Sequence, residues 1–277
     1  MTGLEPDDWN NWFFIVGCQR SGTTLMRLVL ECHSQIECYD EFIGYKVLAG
    51  GPSPVRQRQL LGLKIPCLTE QLLGPVFYDR VVMPEMPNGY RGQKLLFLLR
   101  DVRDVVKSML QLQVKGLPWF DIYCIPAFRD AMLRNPGLSN RYASDLKRLD
   151  HTRHRRIAKA AMYWRYKVDS LFDYLEAGYP VLAMRYEDLV VRPAEELPKV
   201  CQFLNVRWEP SLLLHGKLAH RELAENGLAT GNTDPTRMID SGSVGKWRDT
   251  FTREEIDEIL AFAGDAQTRL YPETICC

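Results

Sequence analysis

Gly17 and Gly22 enclose Cys18, Gln19, Arg20 and Ser21, and Thr23 and Thr24 follow at once. The spacing G-x-x-x-x-G suits an anion: the glycines let the backbone curl, successive N–H groups turn inward, and Ser21, Thr23 and Thr24 add hydroxyls. A loop that holds a nucleoside triphosphate carries a lysine where Thr23 stands, and that lysine is its main contact to the β- and γ-phosphates. Here Arg20 brings the positive charge instead. The ligand expected is a phosphate compound other than a plain triphosphate. The competing reading is a tight strand-to-helix turn with incidental polar residues; the apolar run before the loop and the periodic run after it favour the anion.

Such a loop works only if a strand delivers it and a helix leaves it. Trp12 to Val16 is a short apolar run that suits a buried parallel strand, as are Leu95 to Leu99 and Pro180 to Met184. After the loop, Leu25, Leu28, Val29 and Cys32 fall at i, i+3, i+4 and i+7, one face of a helix. Val102, Val105, Val106 and Met109 repeat that spacing, with Asp101 placed to cap and Asp104 in the first turn. Ile157 to Ala177 and Ala194 to Leu204 read as further helices, and Thr252-Arg-Glu-Glu255 is a capping box. Alternating strands and helices predict an α/β fold: a P-loop-type parallel sheet flanked by helices in one domain of 277 residues. Lys115 to Asn140, rich in prolines and aromatics and without clear periodicity, belongs to a helical or loop insertion over about 115–150 that would cover the substrate.

Lysine plus arginine total 35 and aspartate plus glutamate total 35, so no net field attracts nucleic acid or a membrane. No segment approaches the roughly eighteen apolar residues of a membrane span. The first residues lack the basic and apolar regions of a secretory signal. Eight cysteines are scattered without a CxxC pair, which fits reduced thiols in a cytoplasmic protein. Cys276-Cys277 reads as a tail, because it lacks the C-a-a-X spacing of a lipidation site.

The stretch Cys18-Gln-Arg-Ser-Gly-Thr-Thr-Leu25 resembles the 5′-phosphosulfate loop of sulfotransferases that use 3′-phosphoadenosine 5′-phosphosulfate (PAPS), especially the branch of tyrosylprotein sulfotransferases and bacterial small-molecule enzymes. Gln19 replaces the family's proline. The resemblance implies a 3′-phosphate site, and Arg100 and Ser108 match R-D-x-R-D-x-x-x-S; an arginine fork and a hydroxyl can reach one phosphate. Arg103 either joins them or pairs with a nearby acid. Ser243, Gly245 and Lys246 match S-x-x-G-[KR]-W, so they would close on the 3′-phosphate side, with Trp247 packed on the domain or on the adenine. Tyr186 matches Y-E-D-L, near the adenine or phosphate, while Glu187 and Asp188 read as capping residues. The product would be adenosine 3′,5′-bisphosphate (PAP).

Sulfuryl transfer needs a base for the acceptor and cations for the leaving phosphate, and no metal. The resemblance assigns the base to Glu41, 21 residues after Arg20, in a segment where His33 and Cys38 also correspond and Asp40 replaces a glutamate. Two adjacent carboxylates are expected to raise the pKa of one of them and make it a better base. The rivals are Asp40 and His33; an exposed acidic turn is the plain alternative. Lys64 resembles the lysine that stabilises the sulfuryl group or bridging oxygen, with Arg20 assisting from the other side. The 36 residues from Lys64 to Arg100 imply an insertion around Pro75 to Arg91.

The acceptor expected is a small molecule, with a hydroxyl preferred to an amine. Asp7, Asp8, Asp40 and Asp121 would suit a cationic acceptor, or are simply solvated. Lys147, Arg148, Arg153, Arg155, Arg156 and Lys159 read first as a solvated helix face and second as a dock for an acidic carrier protein holding the acceptor. A P-loop kinase or a non-catalytic nucleotide-binding module are the rival functions, separated by magnesium-dependent ATP binding and by the presence of a sulfated product.

Overall fold

A computed structural model describes residues 11–48, 54, 57–71, 77–78, 81–82, 93–224 and 226–272. In chain order the elements are β1 (Trp12–Gly17), α1 (Thr23–Glu31), β2 (Ile36–Tyr39), α2 (Glu41–Leu48), β3 (Leu60–Lys64), β4 (Phe77–Tyr78), β5 (Val81–Val82), β6 (Lys94–Leu99) and α3 (Val102–Gln111). They continue with β7 (Gln113–Val114), β8 (Leu117–Pro118), α4 (Ile125–Arg134), α5 (Pro136–Arg141), α6 (Ala143–Leu149) and α7 (Arg155–Glu176). The last are β9 (Val181–Arg185), α8 (Tyr186–Val191), α9 (Pro193–Leu204), α10 (Arg253–Ala263) and α11 (Asp265–Leu270). Two compact units result: Met1–Leu99 with Ser170–Ser241, and Arg100–Asp169 with Gly242–Cys277.

The first unit holds a five-stranded sheet in the order β2-β3-β1-β6-β9, and every pairing in it is parallel. All six residues of β1 are buried, as a central parallel strand covered on both faces requires. Alternate residues Phe13 and Ile15 of β1 and Leu96 and Leu98 of β6 share one core with Met26, Val29 and Leu30 of α1. Leu197, Val200, Cys201 and Leu204 of α9, at i, i+3, i+4 and i+7, join the same core. Each such side chain contributes about 1.5–3 kcal/mol when fully buried. The stripe expected on α1 is too narrow: Leu25 and Cys32 are only partly buried, whereas Met26, Arg27 and Leu30 are fully enclosed. This helix has protein on most of its circumference, which periodicity alone does not report.

The carboxyl ends of these strands hold the residues with chemistry. Gly17 ends β1, Asp40 and Glu41 follow β2, Lys64 ends β3, Arg100 follows β6 and Tyr186 follows β9. In parallel sheets ligands bind beyond the carboxyl ends, because loops and helix N-termini gather there.

In the second unit, Asp101 caps α3 by accepting from the Arg103 N–H at 2.9 Å. The capping box opens α10 as its sequence predicts: the Thr252 N–H donates to Glu255 Oε2 at 2.9 Å, and the Glu255 N–H to Thr252 Oγ1 at 3.3 Å. The aperiodic stretch from Lys115 proves largely ordered and helical, with a β7–β8 hairpin before α4 and α5. Pro126 and Pro136 start helices rather than break them. Proline stands in the first turn of both α4 and α5, and Asn135 Oδ1 caps α5 by accepting from the Leu138 N–H at 3.2 Å. Phe120, Phe128, Tyr142, Tyr163 and Tyr166 pack edge to face at centroid distances of 5.3–6.4 Å. Among the described residues no helix is long and apolar enough to cross a membrane.

Candidate active site

The loop after β1 has a backbone that only its own residues tolerate. Gly17 has φ +124°, and a Cβ there would lie 2.2 Å from the Leu98 carbonyl oxygen on β6. Its N–H donates to Thr69 Oγ1 at 2.9 Å, a contact from 52 residues away. Arg20 is itself left-handed, with φ 73°. Gly22 has φ +92°, and a Cβ there would meet Tyr186 Cδ2 at 2.5 Å, so the Tyr186 ring lies against the loop. The α1 N-terminus, from Thr23 and Thr24, has no side-chain cap and no acid in its first turn. Its first N–H groups therefore point outward, as an anion site requires. Ser21 Oγ is buried and has no hydrogen-bond partner. Such an orphan costs about 1–3 kcal/mol, and a phosphate oxygen would relieve it; the loop residues fit the phosphate end of PAPS.

Beside the loop lies a knot of charge. Lys64 is 1% exposed, and its Nζ sits 2.7 Å from Asp40 Oδ1, 2.9 Å from Glu41 Oε1 and 3.3 Å from Thr24 Oγ1. Parallel pairing of β2 with β3 and of β3 with β1 places these strand ends together. Thr230 Oγ1 donates to Asp40 Oδ2, and the Asp40 N–H donates to Glu222 Oε2 at 2.8 Å. Arg20 Nη1 donates to the Gly231 carbonyl at 2.8 Å, and Thr24 Oγ1 to the Thr230 carbonyl at 3.3 Å. Glu41 Oε2 accepts from the Tyr45 hydroxyl at 2.7 Å and the Cys67 thiol at 2.8 Å.

Asp40 is not a raised carboxylate. Burial pushes its carboxyl up, but Lys64, the Thr230 hydroxyl and Arg27 outweigh that and hold it below the usual carboxylate range. The cation inserted between the two acids is the reason. For Lys64, burial works downward and Glu41 and Asp40 outweigh it, so the ammonium is held above its ordinary value. Arg27, fully buried, faces Glu31, Asp40 and Glu222 at 3.4–3.9 Å.

His33 is fully buried; its Nδ1 accepts from the Gln35 N–H at 3.0 Å, so its Nε2 carries the hydrogen and donates to the Arg207 carbonyl at 2.7 Å. It is a packed histidine just beyond the end of α1. Cys38 is buried, and burial pushes its thiol well up. Asp7, Asp8, Cys276, Cys277 and most of Pro75 to Arg91 lie outside the described residues.

In the second unit, Arg100 Nη2 donates to the Ser243 carbonyl at 2.5 Å, joining two motifs 143 residues apart. Asp104 accepts from the Gly245 N–H at 2.6 Å and the Trp247 N–H at 3.1 Å. Lys107 Nζ donates to the Lys246 carbonyl at 2.9 Å. Arg103 pairs with Asp101, with Nε at 2.9 Å and Nη2 at 2.6 Å, and stacks 3.9 Å from the Trp247 ring centre, with Arg248 at 4.8 Å. Trp247 is thus half-buried against arginines. Ser108 sits on α3. Of the basic run, Arg148, Arg155 and Arg156 are paired with Asp145, Asp150 and Asp121 at 2.7–3.4 Å.

Thr69, Tyr45, Cys67, Glu222, Thr230 and Gly231 are contacts that motif reading misses. Only Tyr45 had a local signal, one helical turn beyond Glu41.

A parallel sheet carrying an anion loop and a carboxylate–lysine cluster at its carboxyl edge defines a phosphate-binding α/β enzyme of the group-transfer kind. A family model described as the sulfotransferase domain matches residues 91–268, and another described as the sulfotransferase family matches residues 13–63. The chain belongs to the sulfotransferase family, the PAPS-dependent enzymes whose motifs it carries. Protein-tyrosine sulfotransferase A of Caenorhabditis elegans is 19% identical over 294 residues, covering 95% of this chain and 69% of that protein. The sulfotransferase domain of the Synechococcus PCC 7002 olefin synthase has a TM-score of 0.53 at 19% identity, over 92% of this chain and 95% of that one. Mouse sulfotransferase SULT7A1 complexed with PAP has a TM-score of 0.50 at 16% identity, over 96% of this chain and 88% of that one. The two structures share the fold.

Proposed function

We propose that this sulfotransferase moves the sulfuryl group of PAPS to a hydroxyl of a small-molecule acceptor, with Glu41 as the base. The observation that carries this reading is the contact of Lys64 with Glu41 at 2.9 Å and with Thr24 of the anion loop at 3.3 Å. It puts a carboxylate and a cation within one side chain of the phosphate loop.

Arg20, Ser21, Gly22, Thr23 and Thr24 take the 5′ end of PAPS, with Tyr186 against the loop. Arg100, Ser108, Ser243, Gly245 and Lys246 take its 3′-phosphate. Glu41 accepts the acceptor's proton as the acceptor oxygen attacks sulfur in line, and the sulfur–oxygen bond to the 5′-phosphate breaks with its electron pair leaving on the phosphate. Lys64 and Arg20 offset the charge that develops on the sulfuryl and bridging oxygens. A single sulfotransferase domain is part of the proposal, supported by the family models that match residues 13–63 and 91–268. A cytoplasmic location is part of the proposal, supported by six described cysteines that stand as thiols.

A protein tyrosine is the second acceptor reading, favoured by the match to protein-tyrosine sulfotransferase A over 95% of the chain. Labelled PAPS is incubated with alcohols, phenols, amines, carrier-bound hydroxyacyl groups and tyrosine peptides. Sulfated small alcohols or phenols are expected; sulfation of tyrosine peptides alone would replace the small-molecule reading, and sulfation of carrier-bound groups alone would assign a carrier.

A further inference from the structure

Glu41 is held by more than its ion pair. It opens α2, and Tyr45 stands one turn later on the same helix face. The Tyr45 hydroxyl, on a side chain largely buried, donates to Glu41 Oε2 at 2.7 Å. The Cys67 thiol meets the same oxygen at 2.8 Å, and Gln19 Nε2 donates to Cys67 Sγ at 3.2 Å, which turns the thiol hydrogen toward Glu41. Lys64 Nζ takes Oε1 at 2.9 Å. A carboxylate has about four lone-pair sites, two on each oxygen. Oε2 has two donors and Oε1 has one.

We propose, building on Glu41 as the base, that Tyr45 is a positioning residue that locks Glu41 Oε2 and leaves the second lone pair of Oε1 as the place where the acceptor's proton arrives. The acceptor O–H bond breaks to that oxygen while the acceptor O–S bond forms and the bridging S–O bond breaks, its electron pair passing to the 5′-phosphate. Proton arrival neutralises the oxygen shared with Lys64, so the ammonium keeps Asp40 and turns the rest of its charge to the departing phosphate. Tyr45 stays a donor throughout, since burial, Cys67 and Glu41 all hold its phenol well above the ordinary value. Cys67 acts on the same oxygen with a weaker donor.

The test is Tyr45→Phe, which removes one hydroxyl and keeps the ring, with Cys67→Ala as a second variant. Loss of a hydrogen bond to a charged group predicts a kcat about 10- to 100-fold lower for Tyr45→Phe and a smaller loss for Cys67→Ala, with the PAP dissociation constant and acceptor KM within about threefold of the parent. Unchanged kcat in Tyr45→Phe would overturn the inference, as would a matching loss of PAP affinity, which marks a structural role. Glu41→Gln, assayed in parallel, separates the two levels. If it is inert while Tyr45→Phe turns over normally, only the positioning role fails; if it turns over normally, the base assignment fails with it.

Discussion

The turn after β1 with its neighbours in the first unit and the turn after β6 in the second are the two motifs proposed to hold the anionic ends of PAPS, but they use charge differently. In the first, opposite charges are matched directly: Lys64 lies between Asp40 and Glu41 within 2.9 Å. In the second, backbone takes most of the charged groups: Arg100 and Lys107 donate to carbonyls, and Asp104 accepts two N–H groups. A pair of matched charges sets protonation states, which chemistry needs. A charged side chain bonded to backbone sets a shape, which ligand binding needs.

The largest effect should come from breaking the chemical half. Glu41→Gln is expected to lower kcat by about 10³-fold or more, measured as transfer from labelled PAPS, while calorimetry finds PAP affinity within about threefold. Loss of affinity equal to the loss of rate would erase the distinction between the two motifs.

Acid sensitivity should follow from the first unit. Burial, with a smaller push from His220, brings the His215 imidazole from 6.5 down to about 4, and neither ring nitrogen has a hydrogen-bond partner. The unfolded chain binds the extra proton between these values, so stability rises with pH across that window, by about 3 kcal/mol. Denaturant midpoints for the parent and His215→Leu should diverge in this range, the variant having the flatter profile; parallel profiles would remove His215 as the cause. Asp40 works at lower pH: its contribution is present above the ordinary carboxylate value and is lost as pH falls through its depressed folded value.

Arg100→Ala targets the binding half. It should weaken PAP by about 10- to 100-fold, the worth of a charge-assisted contact, with kcat at saturating PAPS nearly kept. An unchanged dissociation constant would take the 3′-phosphate from Arg100. The smallest effect is expected from Trp247→Leu, which loses cation–π contact with Arg103 worth about 0.5–1 kcal/mol and so weakens PAP by only a few-fold. A loss as large as that of Arg100→Ala would instead make Trp247 a direct cofactor contact.

Much of the site was legible because its signals are local. Gly17 and Gly22 signal a backbone able to curl around an anion, and Asp101 and Thr252 declare helix starts, whereas the left-handed φ of Arg20 shows only in the structure. In the stretch from Lys115, expected to be helical or loop, individual helices were not legible for lack of periodicity, although Asn135 and Pro136 are helix-start signals. β2 and β3 were invisible. β2 is only four residues long, and β3 carries Gly62, which reads as a breaker but is where a Cβ would meet Phe13 Cζ at 2.4 Å.

Residue order alone therefore determined which backbone could wrap a phosphate, where helices begin and which family the motifs resemble, because φ preference, capping and spacing act over a few residues. Tertiary structure decided that Lys64 would stand between Asp40 and Glu41, that Thr230 would reach Asp40 across 190 residues, and that Tyr45 and Cys67 would share one oxygen of Glu41. Those contacts depend on parallel strand pairing and on burial strong enough to hold charges together, and neither is a property of any short stretch of chain.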